Sequence, residues 1–429
     1  MRELRDSDRP RLGSLRRHRD FLLFWSGETV SLFGSQVTLL ALPLTAILVL
    51  RATPFELGVL NAVGFAPYLL ATLPAGAWVD RRPKRPILLA SNIGRALVVG
   101  LVPLVGLLGW LRMEILLAVA FAHGLLSVTF DVAWLSFVPS LVGREHVVAA
   151  NSRLQASAAA AQIGGPGLGG ALIQLLAAPM ALIVDALSFL CSAVTLALIR
   201  APESHPPVGV RRDLLAEIGE GVRITFSNAI LRAMALNAGA FNLFDQLIYT
   251  AFLLYAVGPL GLPPGLVGAV IGAGAIGGFL GALGAGPLAR RIGMGPAMIA
   301  MSFVACSTAI AIPFAGGSQP IVALVLGGAF FVQGVGVGVT NVHFVSLRQA
   351  ITPAHLLGRM NASYRTISYG AIPLGALIGG VLGQIVGLRS ALLLGAAGLL
   401  VTPFLVLFSP VRSVRDPAEP VATTRDHDA

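Results

Sequence analysis

An all-α integral membrane fold, with twelve transmembrane helices in two pseudo-symmetric six-helix bundles, is what three observations predict. Hydrophobic residues make up 55% of the chain and charged residues 12%, whereas a soluble domain carries roughly a quarter charged. Twelve apolar stretches lie between Phe21 and Phe408, most of them near or above the ~20 residues an α-helix needs to cross a bilayer. Lys and Arg fall almost wholly in alternate loops, the asymmetry that membrane insertion imposes.

The spans are expected at 21–49, 54–78, 86–109, 113–138, 148–176 and 178–199, and after a polar stretch at 233–257, 263–286, 295–315, 319–343, 361–386 and 389–409. Glycine (50 residues) and proline (27) are abundant throughout. Both weaken helices in water, but packed membrane helices tolerate them and use small residues to bring backbones together. The chain therefore reads as an N-terminal bundle over 1–200, a cytoplasmic linker over 201–232, and a C-terminal bundle with a polar tail over 233–429. Within the linker, Leu214, Leu215, Ile218, Val222 and Phe226 recur at helical spacing, which predicts an amphipathic helix lying on the surface. The Arg-rich segment before Arg19 and the tail after Ser409 read as polar and poorly ordered.

Of the 30 Lys and Arg residues, Arg51, Arg112 and Arg389 fall in loops that this order places outside, and Arg95 lies within span three. The rest sit at the cytoplasmic side, among them seven Arg in the first 19 residues, so both termini are expected inside. The net charge of +10 is then a basic face against anionic lipid, not a nucleic-acid footprint. Residues 1–19 have no apolar core and no small-residue cleavage site, so the first span is expected to serve as the targeting signal. Cys191 and Cys306 lie far apart in predicted spans and read as packing residues, with no disulfide or metal site implied.

The turn between spans two and three reads GAWVDRRPKRPIL from Gly76 to Leu88. It resembles the loop of the major facilitator superfamily, G-x-x-x-D-R-x-G-R-K/R-x-x-L, with Gly76, Asp80, Arg81, Lys84, Arg85 and Leu88 in register and Pro83 in place of the second Gly. Gly permits close packing, Asp ends a helix and pairs with a cation, and the basic cluster anchors the loop. A degraded copy, GPLARRIGMG from Gly286, has Arg290 where the first has Asp80, which supports two related halves. The resemblance implies that Asp80 helps to lock a cytoplasmic gate.

Span five carries GGPGLGG, in which Gly165, Pro166, Gly169 and Gly170 are similar to a fifth-helix element of the superfamily's exporters. Proline removes a backbone hydrogen bond and the glycines thin the helix, so a bend and close packing are expected. Three longer stretches, Arg19 to Leu44, Ala150 to Gly170 and Thr352 to Gly380, resemble the exporter subgroup that contains enterobactin and macrolide efflux proteins. Glu28 departs from it, standing where Gln is expected after Trp25-Ser26-Gly27. The resemblance implies a bacterial inner-membrane exporter working by alternating access on an amphipathic small molecule, a drug or a siderophore-like metabolite. An importer of the same fold is the alternative.

An ionisable side chain within hydrocarbon costs a few kcal/mol, so each one is a functional candidate. Asp245, Glu28 and Asp131 are the candidate sites of proton or substrate coupling, while Arg95, Asp185 and Arg365 complete the set. Asp245 is expected ~18 Å into its span, near the midplane. Asn242 and Gln246, i to i+4, extend a polar stripe there with Asn237. An aromatic and apolar cavity lining is expected from Trp25, Phe241 and Tyr249, with Phe24 and Phe244, and suits a greasy ligand. His123 and His343 read as helix contacts. Span four lacks the Arg-x-x-x-Gly element of many proton antiporters, which leaves uniport or another coupling ion open. No G-x-x-x-x-G-K-S/T, H-E-x-x-H or G-x-S-x-G occurs. The expected partners are accordingly a small molecule, a proton and the bilayer around a monomer, with no cofactor, no metal and no enzymatic activity.

Overall fold

The computed structural model describes residue 15 and residues 18–200, 214–353 and 356–415. The polar N-terminal segment, the first part of the linker and the end of the tail lie outside them. The described residues form helices almost throughout, because a backbone crossing hydrocarbon must satisfy its own amides.

The first six spans are α1 (Arg19–Leu48), α2 (Pro54–Leu70) with α3 (Thr72–Asp80), α4 (Lys84–Leu107), α5 (Met113–Val142), α6 (Val147–Leu176) and α7 (Ala178–Ala197). The linker helix α8 (Leu214–Ser227) follows. The last six are α9 (Ala229–Val257), α10 (Pro264–Ile292), α11 (Met294–Ser307) continued by a 3-10 turn Thr308–Phe314, α12 (Gln319–Ile351), α13 (Leu357–Ile385) and α14 (Leu388–Leu407). Ten of these are long and apolar enough on their own to cross a membrane. Span two falls short because it is split, and α6 because its first half carries Asn151, Arg153 and Gln155 and its second Gln162, Gln174 and a run of glycines.

Two spans expected to be uninterrupted are not, and proline accounts for both. Pro74 has no N–H for the Leu70 carbonyl, so span two breaks at Ala71. The Ala71 N–H still reaches the Pro67 carbonyl at 2.8 Å, and the Ala75 N–H reaches Ala71 at 2.8 Å, so the chain runs on as one span. Pro313 acts likewise in span nine, whose end tightens to a 3-10 turn. Elsewhere the helices outrun the apolar stretches: α12 continues past His343 to Ile351.

The chain divides into two units, residues up to 51 with 63–211, and residues 52–62 with 212 onward. The first turns of α2 thus belong to the second unit and the remainder to the first. Pro67 falls just after this division and leaves the Val63 carbonyl without its helical donor.

In the first unit α1 packs on α6 and α7, and α4 on α5 and α7. Gly27 and Gly34 of α1 lie so close to α7 that an added methyl would overlap Thr195 and Ser188. One end of the unit closes over an apolar cluster of Phe21, Phe24, Phe137, Leu154 and Leu196. Phe24 is 1% exposed and meets Phe137 edge-on at 5.4 Å. It is a core residue, not the cavity residue expected from its aromatic character.

In the second unit α10 and α12 form a glycine seam. Methyl groups on Gly277 or Gly281 would run into the backbone of Phe331 and Val335, and on Gly334 or Gly338 into that of Gly274 and Gly278. The same device joins α9 to α13, where Gly375 and Gly379 lie over Leu243 and Leu247. It also joins α2 to α13 within this unit, where Gly58 faces Gly380. Helix α8 rests on α13 through Gly221 and the buried Thr225, with Glu220 paired to Arg359. Val222 and Phe226, on the apolar side expected of a surface-lying helix, are exposed. The contact runs through the small side of the helix because only there can the two backbones approach. Of the two cysteines Cys306 is buried, but Cys191 is exposed and takes no part in the core.

The seam gives a test. Gly334→Val overlaps the opposite backbone and is expected to cost ~1–3 kcal/mol, lowering the unfolding temperature of the protein in detergent. Gly328→Val, on the same helix but with open space around it, is expected to leave that temperature nearly unchanged.

Candidate functional site

Two polar centres stand within the membrane-spanning helices, one in each unit. In the first, Arg95 of α4 is 6% exposed and sits between the rings of Phe130 and Phe189, at 4.1 and 4.4 Å. One helical turn earlier, Asn92 accepts a hydrogen bond from its guanidinium and donates to Ser192 at 2.9 Å. Glu28, Asp131 and Asp185 all lie within electrostatic reach of Arg95. Asp185, fully buried on α7, accepts from Thr38 of α1 and from Ser188 at 2.9 Å. Asp131 accepts from the Tyr68 hydroxyl at 3.2 Å. Glu28 is 9% exposed, and its Oε2 has no hydrogen-bond partner among the described residues. One buried cation thus faces three carboxyl groups from three helices, stabilised by aromatic faces and amides rather than by a single close ion pair.

Sequence reasoning singled out Glu28, Asp131 and Arg95, and the fold brings them into one electrostatic neighbourhood. Asp185, the remaining acid of that set, is buried, because Gly34 leaves room for it against α1. Trp25 does not stand alone as a cavity residue: its indole N–H donates to Ser157 of α6 at 3.0 Å and its ring packs on the Phe21 cluster.

In the second unit Asp245 accepts from the Gln333 amide of α12 at 2.8 Å. In the same unit α9, α11, α12, α13 and α14 line an open cavity of about 590 Å³. Phe241, Asn242 and Asn237 line it. Asn242 donates to the Ser368 carbonyl and hydroxyl at 2.8 and 2.7 Å, and Asn237 to the Thr402 carbonyl at 2.8 Å. Gln246 and Tyr249 are not in the lining; each lies a turn or more further along α9, past the end of the cavity. Phe244 instead fills the space over Gly398 of α14. Missing from the sequence-based set are Arg348 and Tyr364, whose guanidinium and ring stack at 3.5 Å, and Tyr369, whose ring lies 5.6 Å from the guanidinium of Arg365. The apolar run ends at His343, so Arg348 reads as a loop residue; only the continuation of α12 brings it into the cavity wall.

The basic loop ties helix ends together. Lys84 Nζ donates to the Val79 and Arg82 carbonyls at 2.6 and 2.8 Å, and Arg85 to the Leu196 and Ala197 carbonyls at 3.0 and 2.7 Å. A cation on the last carbonyls of α7 suits the negative end of its dipole. Arg81 is exposed, and the side chain of Asp80 lies outside the described residues. The close approach expected at Gly76 is not seen, since a methyl there would meet nothing within 4 Å. In α6, Gly165 and Gly169 press on Gln36 and Val37 of α1, with Pro166 and Gly170 buried beside them. Among the described residues no group of three or more His, Cys, Asp and Glu is arranged to hold a metal ion.

The sequence profile of the Major Facilitator Superfamily matches residues 24–376. The multidrug efflux pump Tap of Mycolicibacterium fortuitum is 26% identical over 392 residues, 88% of this chain and 92% of Tap. The uncharacterised transporter YfiS of Bacillus subtilis is 24% identical over 391 residues, 88% of this chain and 90% of YfiS. Among solved structures, an inward-facing bacterial homologue of the iron transporter ferroportin superposes with a TM-score of 0.68 at 21% identity, over 92% of this chain and 98% of that one. The nucleoside transporter NupG gives 0.73 at 13% identity, over 90% and 98%. At such identities the two structures speak for the fold.

The Thr38 bond to Asp185 links α1 to α7 without water. Removing it in Thr38→Val is expected to cost ~1.5–3 kcal/mol, the range for a hydrogen bond to a charged group, read as a lower unfolding temperature in detergent. Ser26→Ala, an exposed position on the same helix bonded only to its own backbone, is expected to change little.

Proposed function

Because the chain belongs to the major facilitator superfamily, we propose that it exports an amphipathic small molecule by alternating access, in exchange for protons. It is a transporter and not an enzyme. In this reading it works as a monomer in a bacterial plasma membrane, with both termini in the cytoplasm. The observation that carries export is the match, over 88% of the chain, to a protein described as a multidrug efflux pump. The glycine-proline element of α6 and the three exporter-like stretches support the same direction.

Coupling is assigned to Glu28, Asp131 and Asp245. Around Arg95, one positive charge faces three carboxyl groups, so a proton gained or lost at one of them changes the net charge of the whole group. Glu28, with an oxygen that has no partner among the described residues, is the one with room to receive a proton. Asp245 has a different device. The Gln333 amide donates to a carboxylate there, and an amide also offers an acceptor oxygen, so the pair can hold Asp245 with or without its proton. Gly76, Asp80, Arg81, Lys84 and Arg85 act as the gating loop, with Lys84 and Arg85 gripping the ends of α3 and α7. Gly165, Pro166, Gly169 and Gly170 keep α6 close to α1.

The test is drug and siderophore susceptibility in an efflux-deficient bacterium, with accumulation of a labelled compound measured alongside. Expression is expected to lower accumulation and raise resistance, and a protonophore to abolish both. Glu28→Gln and Asp245→Asn, at matched membrane levels, are expected to fall to the empty-vector level. Higher accumulation on expression would mean import, and unchanged pH-driven transport in both variants would remove these two carboxyls from the coupling.

A further inference from the structure

The cavity of the second unit has a sign. Its lining includes Arg348 and Arg365 and no Asp or Glu. The nearby carboxylates are engaged elsewhere, Asp245 by Gln333 and Glu220 by Arg359. Arg348 is 9% exposed, and its Nε has no hydrogen-bond partner among the described residues. A buried guanidinium donor left without an acceptor is costly in a protein interior. Its face is satisfied by the Tyr364 ring at 3.5 Å, and stacking of this kind leaves the N–H edge free in the plane of the group, where a planar oxyanion is recognised.

The rest of the wall suits the body of such a ligand. Phe241, Phe344, Tyr364 and Tyr369 give apolar and aromatic surface, and Asn341 and Asn361 give amide groups. The volume of about 590 Å³ is that of a site for a drug-sized molecule. We propose that this cavity binds the anionic end of an aromatic or apolar molecule, a carboxylate, sulfonate or phosphate, through Arg348 and Arg365. Its identification with the exported cargo rests on the function proposed above. A cation, the usual charge of a lipophilic drug that resembles a base, is disfavoured by the two guanidinium groups.

Binding to the full-length protein in phosphatidylcholine nanodiscs tests this with three probes of one shape: 2-naphthoate, 2-naphthamide and 2-naphthylmethylammonium, with empty discs subtracted. Naphthoate is expected to bind on the order of tenfold or more tighter than the amide, the effect of a charge-assisted pair, with the ammonium weakest. Arg365→Gln, at an exposed position that the fold does not need, and Arg348→Gln are each expected to remove most of that preference. Arg348→Lys keeps part of it. Equal affinity for the three probes, or a preference unchanged in both glutamine variants, overturns the proposal. In discs containing phosphatidylglycerol, competition that disappears in the variants identifies a lipid headgroup as the anion. Unaltered naphthoate binding identifies a free one, and either result supports an anion site. Anion binding in a chain that exports nothing would sink the export reading alone, whereas efflux of cations with no naphthoate preference would sink this site alone.

Discussion

Apolar side chains gain little by leaving lipid for protein, because lipid tails are as apolar as leucine. Helices in a bilayer are therefore held by close packing, and close packing needs backbones without side chains between them. In this chain glycine does that work at nearly every principal contact. Gly27 and Gly34 bring α1 to α7, Gly165 and Gly169 bring α6 to α1, Gly334 and Gly338 bring α12 to α10, and Gly375 and Gly379 bring α13 to α9. The polar groups depend on these approaches. Thr38 reaches Asp185 because Gly34 lets the helices touch, and Gln333 reaches Asp245 from a helix whose next residue is the seam glycine Gly334.

The two units handle ionisable groups in opposite ways. The first gathers charges of both signs around Arg95 and covers the cation with Phe130 and Phe189. The second keeps its acid and its bases apart: Asp245 is answered by a neutral amide, while Arg348 and Arg365 are answered by tyrosine rings. A group of mixed charges can exchange protons with little change in its surroundings. Cations held only by π faces are left with their strongest donors unspent. The two halves thus differ in which residues were placed beside each charge.

The fold was legible in the sequence because span length, glycine content and the sidedness of Arg and Lys are all bulk properties of the chain. The interruptions at Ala71 and after Ser307 were equally open to reading, since Pro74 and Pro313 stand in plain view. The facing of side chains was not. Aromatic character could not tell Phe24 in the core from Phe241 at the cavity, and a helical stripe could not say where along α9 the cavity ends, with Asn242 in its lining and Gln246 outside it. Arg348 was hidden because hydropathy stops at His343 while the backbone does not. On α8 the packed side is marked by Gly221, a residue whose absence of a side chain carries no hydrophobic signal.

Helix α2 belongs to both units, with its first turns held against α13 by the Gly58 and Gly380 pair and its later turns in the N-terminal unit. A helix bends where its backbone is weakest. In α2 that place is fixed by composition: between Val63 and Pro67 a backbone bond is missing, and Gly64 adds no side chain to stiffen the turn. The stiffness of α2 is thereby lowest over little more than one of its own turns, a property that sequence can tune without touching any charged group.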